Sequence, residues 1–192
     1  MSTRRTIQEI LADYEPVQVS ATGAHPAAVL VPMRPQQKQP GSLEVLLTRR
    51  ADDLVSHAGQ VSFPGGRIEA SDDGPAGAAL RETFEELGIE PGQVEVVGRL
   101  DDLYTVTGYH ITPVVGIVSA AAVVTPNPRE VARVFTVPLE ALMIAERWQQ
   151  RTHDYRGSSF RVWHFPFDSE DVWGATAAVL RGMVELLWAQ RG

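Results

Sequence analysis

Residues 81–88, Arg-Glu-Thr-Phe-Glu-Glu-Leu-Gly, hold the densest chemistry in the chain. At about 100° per residue, Glu82, Glu85 and Glu86 fall within roughly 100° of arc on one side of a helix, with Ala76, Leu80, Thr83, Phe84 and Leu87 gathered opposite. Such clustering opposes helix formation. Glu82 meets like charge at both i+3 and i+4, each pair costing about 0.2–0.5 kcal/mol. The cluster also lies towards the helix C-terminus, where the macrodipole disfavours negative charge. Arg81, four residues before Glu85, offsets part of this. A divalent cation would offset the rest, and hard oxygen donors suit Mg²⁺ or Mn²⁺. The competing account is a solvated acidic face, since glutamate is a good helix former and surface helices have a wet side.

The segment upstream weighs against that account. Phe63-Pro64-Gly65-Gly66-Arg67-Ile68-Glu69 follows an apolar, β-prone run, and Pro-Gly-Gly there marks a bend where backbone passes close to something. Together, residues 66–89 resemble the Nudix box, G-x5-E-x7-R-E-U-x-E-E-x-G-U with U aliphatic. Gly66 matches the first glycine, and Arg81, Glu82, Glu85, Glu86, Gly88 and Ile89 match the second half. Thr83 replaces an aliphatic residue. Asp72 stands where the first glutamate is expected, and eight residues rather than seven then precede Arg81.

The flanks are similar to the coenzyme A pyrophosphatase branch of that family, which carries LLTxR(S/A)-x3-R-x3-G-x3-FPGG. Leu46-Leu47-Thr48-Arg49-Arg50-Ala51 and His57 through Gly66 fit, except that Val55 replaces an arginine. Thr105–Tyr109, Pro113–Gly116, Glu130–Phe135, Pro138-Leu139 and Val172–Thr176 also resemble the branch, so the likeness runs from about residue 27 to 188. It implies metal-dependent hydrolysis of coenzyme A or a derivative to 4′-phosphopantetheine and adenosine 3′,5′-bisphosphate. Another nucleoside diphosphate derivative, ADP-ribose or NADH, is the alternative substrate. A nucleotide-binding module without hydrolysis is a third reading, disfavoured by the intact acidic set.

For such a reaction, Glu82 and Glu86, at i and i+4, are expected to hold one cation, with Glu85 completing the cluster and Arg81 orienting Glu85. Glu85 or Glu86 is the expected base. Glu130 is the second candidate, as base or extra ligand, against its reading as a solvated loop acid. Arg49, Arg50 and Arg67 bracket the turn of Gly65 and Gly66 and suit a diphosphate, with structural ion pairing as the alternative for each. By resemblance, Gly59-Gln60 and Thr107-Gly108-Tyr109 are substrate contacts, Tyr109 stacking on adenine or else packing in the core. His57, His110, His153 and His164 have no ligand spacing.

These residues need a scaffold. Helices are expected over 5–14, 75–87, from 138, and over 172–189, and strands over 27–33, 43–48, 94–100, 110–118, 131–137 and 160–165. Pro75 suits a first helical turn and Gly88 a C′ position. Residues 34–41 read as a mobile hairpin connection. Trp173 and Trp188 in the last helix, and Trp148 and Trp163, are expected to pack. This order suggests an α+β or layered α/β chain in one domain of 192 residues with no repeat or linker. The Nudix resemblance implies an αβα sandwich around a central mixed β-sheet. Net charge of −7 argues against a nucleic-acid partner and leaves a small-molecule diphosphate to be held by local arginines and metal. No apolar run reaches the ~20 residues of a membrane span. The N-terminus lacks a signal-peptide core, and the last three residues are not a peroxisomal signal. No cysteine is present, which excludes a disulfide or thiolate and is compatible with the cytoplasm. Oligomeric state is not readable.

Overall fold

A computed structural model describes residues 3–19, 22–54 and 57–189. Val55, where the sequence departs from the coenzyme A branch, lies outside them, as do the last three residues.

The framework is an eight-stranded mixed sheet whose spine runs β3-β2-β1-β7-β5 (β1 His25–Pro35, β2 Leu43–Arg50, β3 Val61–Ser62, β5 Val94–Arg99, β7 Tyr109–Val118). Three further strands join it: β4 (Gly65–Arg67) pairs with β1, β6 (Leu103–Tyr104) with β7 and β8 (Val131–Pro138) with β2. Strands β1 and β7 are parallel and in register from His25↔Tyr109 to Met33↔Ile117; the other pairings in this sheet are antiparallel. A second, antiparallel sheet has the order β11-β10-β9 (β9 Gln149–Tyr155, β10 Ser158–Phe167, β11 Glu170–Trp173).

Strand β1 is apolar almost throughout because both its faces are covered. Ala28 and Leu30 pack with Val114 against Ala78 and Ala79 of helix α2 (Gly74–Leu87). Val31 and Met33 point the other way, into a larger core with Leu47, Val115 and Ile117. That core is closed by Ile7 and Leu11 of α1 (Thr3–Ala12), Leu180 and Val184 of α4 (Gly174–Ala189), and Phe165 of the small sheet. Helices therefore cover both faces of a mixed sheet, the layering that the family resemblance implies. A four-residue helix, α3 (Leu139–Leu142), follows β8.

Several boundaries move. The first helix begins two residues before the expected 5–14 and ends two before it. The last starts at Gly174, because Glu170–Trp173 forms β11 beside β10; Trp173 is thus a strand residue. Strand β9, with mostly exposed polar residues, carries no apolar alternation that the sequence could display. The loop after β1 is a hairpin connection, closed by the Gln36 N–H donating to the Ser42 carbonyl at 3.0 Å. Trp148 is buried and donates to the Leu142 carbonyl at 2.8 Å.

Candidate active site

Helix α2 forms where expected. Pro75 stands in its first turn, and Gly88 ends it in the left-handed region at φ 67°, its N–H returning to the Phe84 carbonyl. Its sides are not the ones that angular arithmetic assigns. Ala79, Thr83 and Glu86 lie on one stripe and are all buried, while Phe84 is 44% exposed. Glu86, at 3% exposure, faces the protein rather than water, and Glu85 is half exposed. Glu82 of the acidic face abuts Gly66 of β4, while Glu85 stays at the surface.

Strand β4 explains the two glycines. A Cβ on Gly66 would lie 2.3 Å from Oε1 of Glu82, so the bare backbone makes room for that carboxylate. Gly65, at φ +154°, has the Ala28 carbonyl oxygen and Val29 Cα of β1 within 2.6 Å of an added Cβ. Its N–H also donates to the Glu86 carboxylate.

Arg81 is the hub of the cluster. Its Nε and Nη2 donate to the two oxygens of Asp72 at 2.8 and 3.0 Å, its Nη1 to Glu82 at 2.9 Å, and its Nη2 also to the Arg67 carbonyl at 3.0 Å. Contact with Glu85 is longer, at 3.4 Å. The expected orienting of Glu85 is therefore the weakest of its tasks, because the planar fork is taken up by Asp72. The Arg81 guanidinium, helped by the Glu69 N–H, holds the Asp72 carboxyl below the usual range, and its own proton is held more firmly in return. Asp72, where the family pattern has a glutamate, serves here as an anchor for the arginine.

Burial outweighs the cations beside these acids. Burial pushes Glu86 up to about 8; Arg50 opposes this, while Glu82 and Glu130 add to it. Burial also raises Glu82, against the pull of Arg81 and with the push of Glu85 and Glu130. Glu130 is thus placed electrostatically beside both. The chain achieves this by fastening its loop to the end of α2: the N–H groups of Thr125 and Asn127 donate to the carbonyls of Leu87 and Glu86 at 2.7 and 2.8 Å. Asn127 Nδ2 then donates to Glu130 at 3.1 Å.

The arginines differ. Arg49 pairs locally, donating to Asp52 at 2.7 Å and to the Gly59 carbonyl at 3.3 Å. Arg50 has a buried Nε without a hydrogen-bond partner, and its charge acts on Glu86. Arg67 is exposed, its Cζ 5.9 Å over the Tyr109 ring. His57, at φ 57°, makes a local contact, its Nδ1 2.8 Å from Oε1 of Gln60.

Among the described residues, no three His, Asp or Glu side chains close into a preformed metal cage. The donors present still fit a hard cation. Glu82 and Glu86 offer oxygens only, burial weighs against the charge of each, and Glu82 faces Gly66, where no Cβ intervenes. Mg²⁺ commonly takes one or two carboxylates and completes its shell with water and substrate phosphate.

The chain matches the NUDIX domain family over residues 24–166 and belongs to it. It is 43% identical over 155 residues to the Nudix hydrolase NudL of Escherichia coli (strain K12), covering 81% of this chain and 79% of the relative. Similarity to NudL of Enterobacter sp. (strain 638) is 41% over the same coverage. The fold is similar to that of a MutT protein from Methanosarcina mazei Go1, with a TM-score of 0.51, 17% identity and coverage of 93% and 99% of the two chains. A NUDIX hydrolase from Alicyclobacillus acidocaldarius gives 0.51 at 18% identity, covering 86% and 93%. As a Nudix hydrolase, the chain is a pyrophosphohydrolase of nucleoside diphosphate derivatives, in a family that generally uses divalent cations such as Mg²⁺ or Mn²⁺. No helix among the described residues is long and apolar enough to cross a membrane.

Proposed function

We propose that the diphosphate cleaved is that of coenzyme A or a derivative, yielding 4′-phosphopantetheine and adenosine 3′,5′-bisphosphate. One observation carries the reading: Arg50, in the segment that resembles the coenzyme A branch, keeps a buried, unpartnered Nε while its charge acts on Glu86. An arginine beside acids with one guanidinium nitrogen left without a partner suits an anion that arrives with the substrate.

Glu82 and Glu86 hold the cation, Mg²⁺ or Mn²⁺, with Glu85 at the rim able to share it. The cation, when bound, neutralises diphosphate charge and acidifies water. Arg50 and Arg67 bind the diphosphate from the opposite side, with Arg49 behind Arg50 keeping the strand end in place through Asp52. Gly65 and Gly66 give the phosphates and carboxylates room. A carboxylate oxygen takes the proton of the attacking water. Glu86, buried in the cluster, is the favoured base, with Glu130 from the opposing loop and Glu85 at the exposed rim as the alternatives; all act on the same charge cluster. Arg81, locked by Asp72, fixes Glu82.

Incubation with Mg²⁺ and coenzyme A, ADP-ribose or NADH, followed by chromatography, tests the assignment. Coenzyme A is expected to give the two named products fastest. Coenzyme A left intact while ADP-ribose is split would overturn the substrate; no turnover of any would favour a binding module.

A further inference from the structure

The small sheet carries a cluster that the hydrolysis does not use. Arg151 and His153 of β9, His164 of β10, and Asp171 and Trp173 of β11 meet on one of its faces. They can do so because strand side chains alternate and the register sets His164 opposite Trp173 and Val162 opposite Arg151.

His164 is the buried member, at 3% exposure, and its two ring nitrogens have different partners. Nδ1 lies 2.8 Å from Oδ2 of Asp171, and Nε2 lies 2.8 Å from Nε2 of His153. A carboxylate can only accept, so the His164 proton resides on Nδ1 and Nε2 presents its lone pair. A carboxylate behind an imidazole, fixing its tautomer and raising the basicity of the far nitrogen, is the support that metal-ligating histidines carry. Arg151 approaches the same Nδ1 at 3.3 Å, but its charge is answered by Asp171 at 2.9 Å, on the side of the ring away from His153.

His153 supplies the second nitrogen. It is half-buried, and its Nδ1 has no hydrogen-bond partner among the described residues. As the rings stand, the His153 Nε2–H donates to His164. Moving that proton to Nδ1 breaks no other bond and turns both Nε2 lone pairs to one gap. The spacing then selects the metal. With metal–nitrogen bonds of about 2.0–2.1 Å, two ligands at a right angle stand roughly 2.8–3.0 Å apart, and two tetrahedral ligands roughly 3.3–3.4 Å. The observed 2.8 Å fits the right angle of a tetragonal ion, Cu²⁺ or Ni²⁺. Imidazole nitrogen also suits these ions, whereas carboxylate oxygen suits Mg²⁺. Trp173 lies nearly parallel to both imidazoles, at 10° and 8°, and covers one side of the pair, leaving the other to water ligands.

We infer that the Nε2 atoms of His153 and His164 form a separate site for a divalent transition metal of the Cu²⁺ or Ni²⁺ type, with Asp171 holding His164 in the ligating tautomer. The metal fastens β9, an edge strand with mostly exposed side chains, to β10. The site shares no residue with the acidic cluster of α2 and does not depend on which diphosphate is cleaved.

Equilibrium dialysis of the full, untagged chain against Ni²⁺ in excess Mg²⁺ tests it. The parent is expected to bind one equivalent of Ni²⁺ that Mg²⁺ does not displace, and E86Q to keep it. H153A should lose that equivalent, and D171N should weaken it about 10–100-fold. Ni²⁺ should raise the Tm of the parent but not of H153A. With Cu²⁺, electron paramagnetic resonance should show nitrogen coupling that diminishes in H153A. That variant keeps His25, His57, His110 and the N-terminal amine, so the loss belongs to this pair. Nickel binding unchanged in H153A, or absent from the parent, would overturn the site, and unchanged affinity in D171N would overturn the role of Asp171. Should H153A fail to fold, H153F, which keeps a ring beside Trp173 without a ligating nitrogen, decides: loss of nickel supports the site and retention refutes it.

Discussion

Replacing Gly65 and Gly66 separately by alanine separates the two tasks of β4. At Gly65 the new Cβ would meet the Ala28 carbonyl oxygen at 2.4 Å and Val29 Cα at 2.6 Å. Both are backbone atoms of a central strand and cannot step aside. At φ +154° the residue also occupies a region that favours glycine. Conformational strain of about 1–2 kcal/mol and overpacking of about 1–3 kcal/mol sum to roughly 2–5 kcal/mol. For a domain of this size, that lowers Tm by roughly 4–20 °C. At Gly66 the clash, 2.3 Å, is with the carboxylate end of Glu82, which can swing away. G66A should therefore fold with a Tm within a few degrees of the parent but lose about 10–100-fold in turnover, as a displaced metal-site carboxylate does. Scanning calorimetry and a Mg²⁺-dependent diphosphate-hydrolysis assay on each variant give the two readouts. A G66A enzyme with parental turnover would refute the placement of Glu82 in the chemistry. A G65A protein with unchanged Tm would refute the close approach to β1.

Further outcomes follow from other contacts. E86Q should lose at least about a hundredfold in activity while melting, in chelator, no lower than the parent, because it removes a buried acid pressed by Glu82 and Glu130; a large drop in Tm would make Glu86 structural. R81K should cut turnover about tenfold or more, since an ammonium cannot reproduce the two-pronged hold on Asp72, and steady-state kinetics showing parental kcat would count against it. Asp102 sits between His110, at 2.8 Å, and Thr112, at 3.0 Å. Burial alone would raise its pKa, but these bonds and the Val19 N–H bring it below the ordinary value. A depressed carboxylate adds stability that is complete above about pH 4 and is lost as pH falls through the folded value. D102N should flatten the acid limb of the stability–pH curve, and an unchanged limb in urea titrations would refute the role.

The fold was legible where packing imposes a pattern. Strand β1, α2 with its proline start and glycine end, and α4 all show in the residues because each buries apolar side chains. Strand β9 did not, since it carries exposed polar residues and is held by pairing with β10. The acidic cluster was legible as a cluster but not its orientation. A helical projection separates two sides and cannot say that the polar side faces β4, which is why Phe84 and Glu86 exchange their expected surroundings. Asp72 could have been paired with Arg81 only by knowing that the chain between them turns back. Arg49 and Arg50 are adjacent and alike in sequence, and only the positions of Asp52 and Glu86 give them different work. Residues 153 and 164, scattered in sequence, meet across β9 and β10 with their Nε2 atoms 2.8 Å apart, a hydrogen-bonded pair that spacing along the chain does not reveal.

The attachment of residues 125–127 to the last carbonyls of α2 makes loop length a chemical variable. From Asn127 to Glu130 the chain is measured out from a fixed origin, as a ruler is from its zero mark. One residue inserted between Thr125 and Glu130 would shift the acid's reach while leaving every side chain intact. One inserted earlier, around the exposed Val123, is absorbed before the ruler begins. Substitution tables would miss this entirely: the position of the second acid is encoded in a count of residues as much as in their kind.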